Sequence, residues 1–188
     1  MERLGTFGDR WLRRQRAIAE TVRTQRPDFV ALQETWRADG RSQTHQLGFE
    51  LGMSPAFAPS RMPRDPHPDV HLGLGILSRF PLRDVEQHNL SEGTVALRAE
   101  IRLGARSLHF VTSCLDWEEN HERERLAQAE ALPQPVPRAR GMARGPPHRL
   151  HPRQRRPGLR RTHLTGFDED HGRPPSDHYA VVTDVPLR

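Results

Sequence analysis

A short apolar segment that runs straight into an acidic residue constrains this chain more than any other feature. Pro27 closes a helical pattern, because its ring cannot continue a helix and biases the residue before it away from helical geometry. The run from Phe29 to Leu32 has strand length and is typical of a strand buried on both faces. Gln33 and Glu34 follow at once. We therefore expect a carboxylate where a buried strand ends, a place where chemistry is often found on such sheets.

Length and composition predict one domain. The chain has 188 residues, enough for a real core, but only 34% are hydrophobic and 17 are proline, so part of it is not expected to pack. The single cysteine, Cys114, excludes an internal disulfide and is typical of a reducing compartment. The sequence shows neither a signal peptide nor an apolar run of membrane-spanning length. These features predict a soluble, cytoplasmic protein that does not contact a membrane.

The formal net charge of +5 comes from one segment. Residues 133–163 contain nine of the 29 basic residues, all of them arginine, and no acidic residue. Without this segment 20 basic residues face 24 acidic ones, so the rest of the chain is slightly acidic. Repeated proline, like charge and the lack of an apolar period predict that residues 133–163 are disordered.

Periodicity and turn residues predict a mixed set of helices and strands on both sides of that segment. Ser54–Asp69, which holds five prolines, is expected to be a surface loop. The predicted helices are 10–25 (capped by Asp9), 41–51 (ended by Gly52) and 118–132 (with Leu126, Ala129 and Leu132 inward). The predicted strands are 29–34, 71–78, 95–103, 106–115 and 179–185, with 95–103 and 106–115 paired as a hairpin around Gly104.

Four stretches resemble, in order, the motifs of the endonuclease/exonuclease/phosphatase superfamily, the DNase I-like metal-dependent phosphoesterases. They are PDFVALQE, LGLGILSRFPL, FVTSCLDW with its following helix, and PPSDHYAVVTDV. The resemblance covers residues 10–132 and 164–188. It implies an α+β fold, a four-layer α/β/β/α sandwich, to which residues 1–132 and 164–188 both contribute.

The resemblance also implies a site. Glu34 and Asp177 would bind Mg²⁺, with Mn²⁺ as a substitute, and His178 would be the general base with Asp177 beside it. Arg79 would bind substrate, since a guanidinium can meet a phosphate through two hydrogen bonds. These residue types suit phosphate esters, which need a cation to neutralise charge that grows in the transition state. Cys114 stands where many relatives carry His, and we interpret it as inert.

Each site residue has an ordinary alternative interpretation. An acid after a strand, such as Glu34, is often only a solvated loop residue. Asp177 and His178 could belong to a simple turn before the last strand. Arg79 could be an exposed arginine on a solvated surface. The four motifs in the family's order favour the site.

The chain also departs from the family pattern. Nothing in Met1–Asp9 supplies the family's first strand, which ends in a catalytic Asn. The strand carrying Gly-Asp-Phe-Asn and the later Asp that partners the catalytic His are also missing, and residues 133–163 stand in their place. We therefore expect an incomplete sandwich.

Two functions follow from these features. The first is a Mg²⁺-dependent phosphoesterase acting on a phosphate-ester substrate, nucleic acid included. The alternative is a non-catalytic nucleic-acid binder that uses the Arg-rich segment, with an affinity that falls steeply with salt.

We hypothesise that residues 133–161 result from out-of-frame translation. Acidic residues and the periodic spacing of apolar residues are lost abruptly there, between two stretches that resemble the family. The alternative is a genuine Arg-rich insertion. Sequencing the gene from upstream of the Met1 codon through the Leu164 codon tests this. We expect another frame to encode a strand ending in Gly-Asp-Phe-Asn or a close variant. A confirmed frame would contradict the hypothesis and favour the binder.

Overall fold

The computed structural model describes residues 2–38, 40–60, 70–104, 106–116, 118–133, 161–165 and 180–184. Side chains are described within 14–38, 40–60, 71–104, 106–116 and 118–133. The chain divides into two compact units. One is Arg26–Pro135, and the other combines Met1–Gln25 with Val136–Arg188.

The unit Arg26–Pro135 contains two antiparallel sheets. The first sheet has the strand order β2-β1-β4-β3 and the second has the order β5-β6-β7. The strands of the first sheet are β1 (Phe29–Ala38), β2 (Arg41–Ser42), β3 (Ser54–Pro59) and β4 (Val70–Ser78). Those of the second are β5 (Leu82–Ser91), β6 (Thr94–Leu103) and β7 (Arg106–Ser113).

The two sheets stack face to face, with β4 facing β6 and β7, and β1 facing β7. Side chains alternate between the faces of a strand, so every second residue of β4 points between the sheets. Leu74 and Ile76 do so and are almost fully buried. The core that they form with the second sheet consists of Ala56, Ala58, Leu74, Ile76, Val95, Leu97 and Ala99.

Helix α2 (Gln43–Leu51) covers the opposite face of the first sheet. Gly75 makes this close packing possible, because a Cβ at that position would overlap the hydroxyl and methyl groups of Thr44. Helix α3 (Glu122–Glu130) contacts β5 of the second sheet. Two packed sheets with helices outside them confirm the predicted α+β sandwich.

The other unit contains α1 (Glu2–Gln25) and a two-stranded sheet of β8 (Arg161–Thr165) and β9 (Ala180–Asp184). Asp9 lies inside α1, so the prediction that it caps the helix was wrong. Ala19 and Val22 of this helix are buried. Strand β9 corresponds to the predicted terminal strand, and β8 includes the last three residues of the Arg-rich segment, whose residues 134–160 lie outside the described part. No described helix is both long and apolar enough to cross a membrane.

Two strands differ from the sequence predictions. Ser54–Pro59, predicted to be loop, is β3, an edge strand that pairs only with β4 among the described residues. Proline is tolerated on such an edge because the missing N–H can face away from the neighbouring strand. Strand β5 was not predicted, because its sequence is polar and most of its side chains are exposed. It contacts β3 on the same side of the core and forms an edge of the second sheet.

Two predictions of burial were also wrong. Leu126 is 58% exposed, and the buried residue of α3 is Gln128. Strand β1 is not buried on both faces: Ala31 is exposed although its register partner is the core residue Ile76. The strand of the second sheet that faces β1 is β7, an edge strand, so the described part of that sheet covers β1 incompletely.

Local turn signals were more reliable. Gly52 ends α2 in the left-handed conformation with φ of 65°, and Gly104 turns the β6–β7 hairpin with φ of 64°. Glycine adopts this conformation without the steric cost that a Cβ imposes. Both glycines therefore fix element ends, as the sequence predicted.

Candidate functional site

Glu34 lies in a bulge in the middle of β1. Leu32 pairs with Gly75 and Thr35 pairs with Gly73, so Gln33 and Glu34 together lie opposite Leu74 alone. Glu34 has φ of 54°, in the region that favours glycine. The strand continues to Ala38, so the prediction that Glu34 follows the end of the strand was wrong. An extra residue in one strand interrupts the ladder and can re-aim a side chain.

The bulge brings its two polar residues to the second sheet. Gln33 Nε2 donates a hydrogen bond of 2.7 Å to the carbonyl oxygen of Ser113, the last residue of β7. The exposed carboxylate of Glu34 is close enough to the next residue, Cys114, for its charge to act on the thiol. Regular alternation would send two consecutive side chains to opposite faces. Here Gln33 contacts the end of β7, and the charge of Glu34 still acts on the residue that follows it.

Cys114 is a neutral neighbour of this carboxylate. Burial raises the pKa of its thiol, and the negative charge of Glu34 raises it further. The side chain is half-buried and packs against the core cluster between the sheets. A thiol with a raised pKa is a poor nucleophile at neutral pH, in agreement with the interpretation that Cys114 is inert.

Arg79 lies at the other end of β1 from Glu34. Its backbone N–H donates to Asp28 O at 3.0 Å and its Nε donates to Pro27 O at 2.9 Å. Arg79 follows Ser78, which pairs with Phe29, so about 16 Å of strand separates it from Glu34 at roughly 3.3 Å per residue. The structure therefore does not bring these two site residues together. The guanidinium ties the end of β4 to the start of β1.

Asp177 and His178, the other predicted site residues, lie outside the described residues, just before β9. Their approach to Glu34 stays a prediction. The described side chains contain no group of three His, Cys, Asp or Glu that could hold a metal ion. Mg²⁺ keeps several waters and binds through one or two protein carboxylates. A donor set of Glu34 and Asp177 fits that preference.

Polar contacts fix the loop that follows β7. The Asp116 backbone N–H donates to Gln128 Oε1 at 2.8 Å, while Gln128 Nε2 donates to Ser91 Oγ at 2.9 Å. The Asp116 carboxylate accepts from the Glu118 N–H at 2.9 Å and pairs with His121 Nδ1 at 2.8 Å. The buried amide of Gln128 thus anchors the loop to the second sheet.

The contact between Asp116 and His121 shifts the pKa values of both side chains. The hydrogen bond from the Glu118 N–H lowers the pKa of Asp116, and the His121 ring lowers it further. The hydrogen bond to Asp116 raises the pKa of His121, with smaller help from the negative charges of Glu118 and Glu124. Both side chains reach solvent, so salt screens the pair.

Comparison with known families and structures supplies the identity of the fold. The family model described as "Endonuclease/Exonuclease/phosphatase family" matches residues 5–181. The chain belongs to the endonuclease/exonuclease/phosphatase family. The match includes the first three motifs of the sequence resemblance completely. It includes the fourth, PPSDHYAVVTDV, up to residue 181.

Solved structures of this family share the fold. The human Nocturnin catalytic domain with bound sulfate anion is 22% identical, with a TM-score of 0.55, and the match covers 65% of this chain and 49% of that one. A family protein from Leptotrichia buccalis C-1013-b is 13% identical, with a TM-score of 0.52, and the match covers 64% and 55%. One from Beutenbergia cavernae DSM 12333 is 17% identical, with a TM-score of 0.50 and coverage of 60% and 36%. The match thus spans about a third to a half of these structures. No curated protein sequence matches the chain.

Two features of this region were not predicted from the sequence. The bulge had a detectable signal: Gln33 and Glu34 are adjacent polar residues inside what the structure shows to be one strand, which breaks its alternation. The contact of Asp116 with His121 had no signal in the sequence, because the spacing of the two residues fits neither a helical nor a strand period. It depends on the path of an irregular loop.

The charge on His121 gives a pH-dependent prediction. His121→Gln keeps a neutral hydrogen-bond donor and removes the positive charge. The pKa of His121 is raised above 6.5 and that of Asp116 is lowered below 3.8. The ion pair therefore contributes fully between these pH values. Its contribution is lost as pH rises through the folded pKa of His121, or falls through that of Asp116.

Thermal unfolding at a series of pH values measures this. We expect His121→Gln to lower the unfolding midpoint most between pH 3.8 and 6.5, with the difference from wild type shrinking at higher pH. His71→Gln, at an exposed histidine of β4, is the control and should show no such window. A difference in unfolding midpoint that stays constant with pH would contradict a contribution of the ion pair to stability.

Proposed function

We propose that this chain acts as a divalent-cation-dependent phosphoesterase, with Mg²⁺ as cation and Mn²⁺ as a substitute. The observation that carries the proposal is the conformation of Glu34. An exposed carboxylate is held with φ of 54° in a bulge beside the end of β7. Family membership supports the same class of reaction.

The strained backbone favours a functional carboxylate over a solvated loop acid. A non-glycine residue in the left-handed region costs on the order of 1 kcal/mol and persists where the surroundings hold it. Bulges are frequent beside active sites, where they direct a side chain.

The residues then have distinct tasks. Glu34 and Asp177 would hold the cation through carboxylate oxygens, the hard ligands that Mg²⁺ prefers. When bound, the cation neutralises charge that develops on the phosphate. His178 would accept the proton of the attacking water, because the ordinary pKa of histidine lies close to neutral pH. The neutral thiol of Cys114 adds no competing charge beside Glu34.

Arg79 would contact a more distant part of the substrate. It lies about 16 Å of strand away from Glu34 at roughly 3.3 Å per residue. A guanidinium at that distance cannot bind the phosphate that is cleaved. It suits another phosphate of an extended substrate such as a nucleic acid.

Hydrolysis of bis(4-nitrophenyl) phosphate with and without Mg²⁺ tests the proposed chemistry. Loss of a metal ligand should cost more than the roughly 10- to 100-fold that a supporting partner costs, so Glu34→Gln should lower the rate by at least about 100-fold. His178→Ala removes the general base and should lower the rate by about 100- to 10,000-fold. Glu92→Gln, at an exposed turn residue, is the charge-matched control and should keep the rate. Metal-dependent hydrolysis that survives Glu34→Gln would refute Glu34 as a ligand of the cation, and a wild-type chain that shows no metal-dependent hydrolysis would refute the function.

The proposed role of Arg79 can be tested by comparing a long substrate with a short one. Arg79→Gln should raise KM for a single-stranded oligonucleotide and reduce the salt slope of its binding by about 0.7, as expected for one phosphate contact to a single strand. Hydrolysis of the small diester should not change. Arg79→Lys keeps the charge and loses the Nε bond to Pro27, so it should retain the salt slope. Equal losses on both substrates would show that Arg79 has only a structural role.

A further inference from the structure

We propose that Gln33 is a positioning residue that holds the Glu34 bulge against the end of β7. Its importance for metal binding rests on the function proposed above. Its importance for the conformation of β1 does not, because that follows from the hydrogen bond alone.

The contact joins the two sheets at the site. Gln33 belongs to β1 of the first sheet, and Ser113, whose carbonyl accepts its hydrogen bond at 2.7 Å, ends β7 of the second sheet. Cys114, the residue on which the charge of Glu34 acts, comes next in the chain. The hydrogen bond of Gln33 therefore fixes the residue next to Glu34 at the end of β7.

The bulge needs such a contact. Glu34 lies in an unfavourable region of backbone conformation, and an extra residue in β1 interrupts the ladder to β4. Among the described residues, no strand pairs with the other edge of β1 until Arg37. The ladder to β4 has a gap at the bulge, and the side-chain amide of Gln33 supplies a fixed point there.

The donor is what matters at position 33. A carbonyl oxygen can only accept, so the amide nitrogen of Gln33 must face Ser113. Glutamate at this position would have the same size but would place a carboxylate against the carbonyl oxygen. Methionine has a similar length and no donor, and leaves the charge of the site unchanged.

Two measurements without catalysis test the proposal. Amide hydrogen exchange reports the order of the bulge, and water-proton relaxation reports binding of Mn²⁺. The variants are Gln33→Met, Gln33→Glu and Glu34→Gln, with Gln87→Met as control at an exposed glutamine of β5. Thermal unfolding of each variant serves to compare overall stability.

We expect Gln33→Met to speed exchange at residues 33–36 and to weaken Mn²⁺ binding, each by about two- to tenfold, the range that one hydrogen bond gives. Exchange in β6 and the control should not change. Gln33→Glu should speed exchange at the bulge in the same way.

The outcomes separate this inference from the proposed function. Unchanged exchange and Mn²⁺ binding in Gln33→Met, with Mn²⁺ binding lost in Glu34→Gln, would overturn the role of Gln33 and leave the proposed function standing. Faster exchange in Gln33→Met, with Mn²⁺ binding unchanged in both variants, would support the role of Gln33 in the fold and refute Glu34 as a metal ligand.

Discussion

The site on β1 depends on one break in the alternation of side chains along a strand. Before the bulge, Leu32 shares the α2 face of the sheet with Gly75, and after it Thr35 shares that face with Gly73. Both ends of β1 therefore keep their register with β4, and the extra residue is absorbed between them. The result is that two polar side chains reach the second sheet while the ladder on either side stays intact. A shift of one residue without a bulge would have moved every following side chain to the wrong face.

The second sheet packs against the sheet that holds the bulge and so supports it. The core between β4 and β6 is fully buried, with Leu74, Ile76 and Leu97 each at most 1% exposed. Burial declines towards β1, where Phe29 still stacks on Phe110 at 5.6 Å but Ala31 is exposed. The candidate site thus lies where a well-packed sandwich becomes open to solvent. A site for a charged substrate needs both conditions, since a firm support fixes the carboxylate and access to water admits the phosphate.

The sequence predicted elements whose signals are local. Gly52 and Gly104 marked their turns, because a left-handed conformation is a property of a few adjacent residues. The apolar alternation of β6 predicted its core face, because that strand lies in the centre of its sheet. Edge strands β3 and β5 were missed, since a strand that is half in solvent needs no apolar pattern. Glu34 was singled out by its place after an apolar run. The adjacent polar residues Gln33 and Glu34 mark a break in alternation, but the register with β4 that makes this break a bulge is encoded by no local pattern.

The edges of the two sheets are protected unequally. On one side, Pro55 and Pro59 interrupt the hydrogen-bonding groups of β3, and β5 carries two irregularities and many charges. On the other side, the described part of β1 offers the apolar run Phe29–Leu32 with one edge open. Exposed apolar edges are templates for strands of other molecules, whereas proline, charge and bulges block them. Pairing with strands of other molecules is therefore hindered by the sequence itself on the side of the molecule that holds β3 and β5.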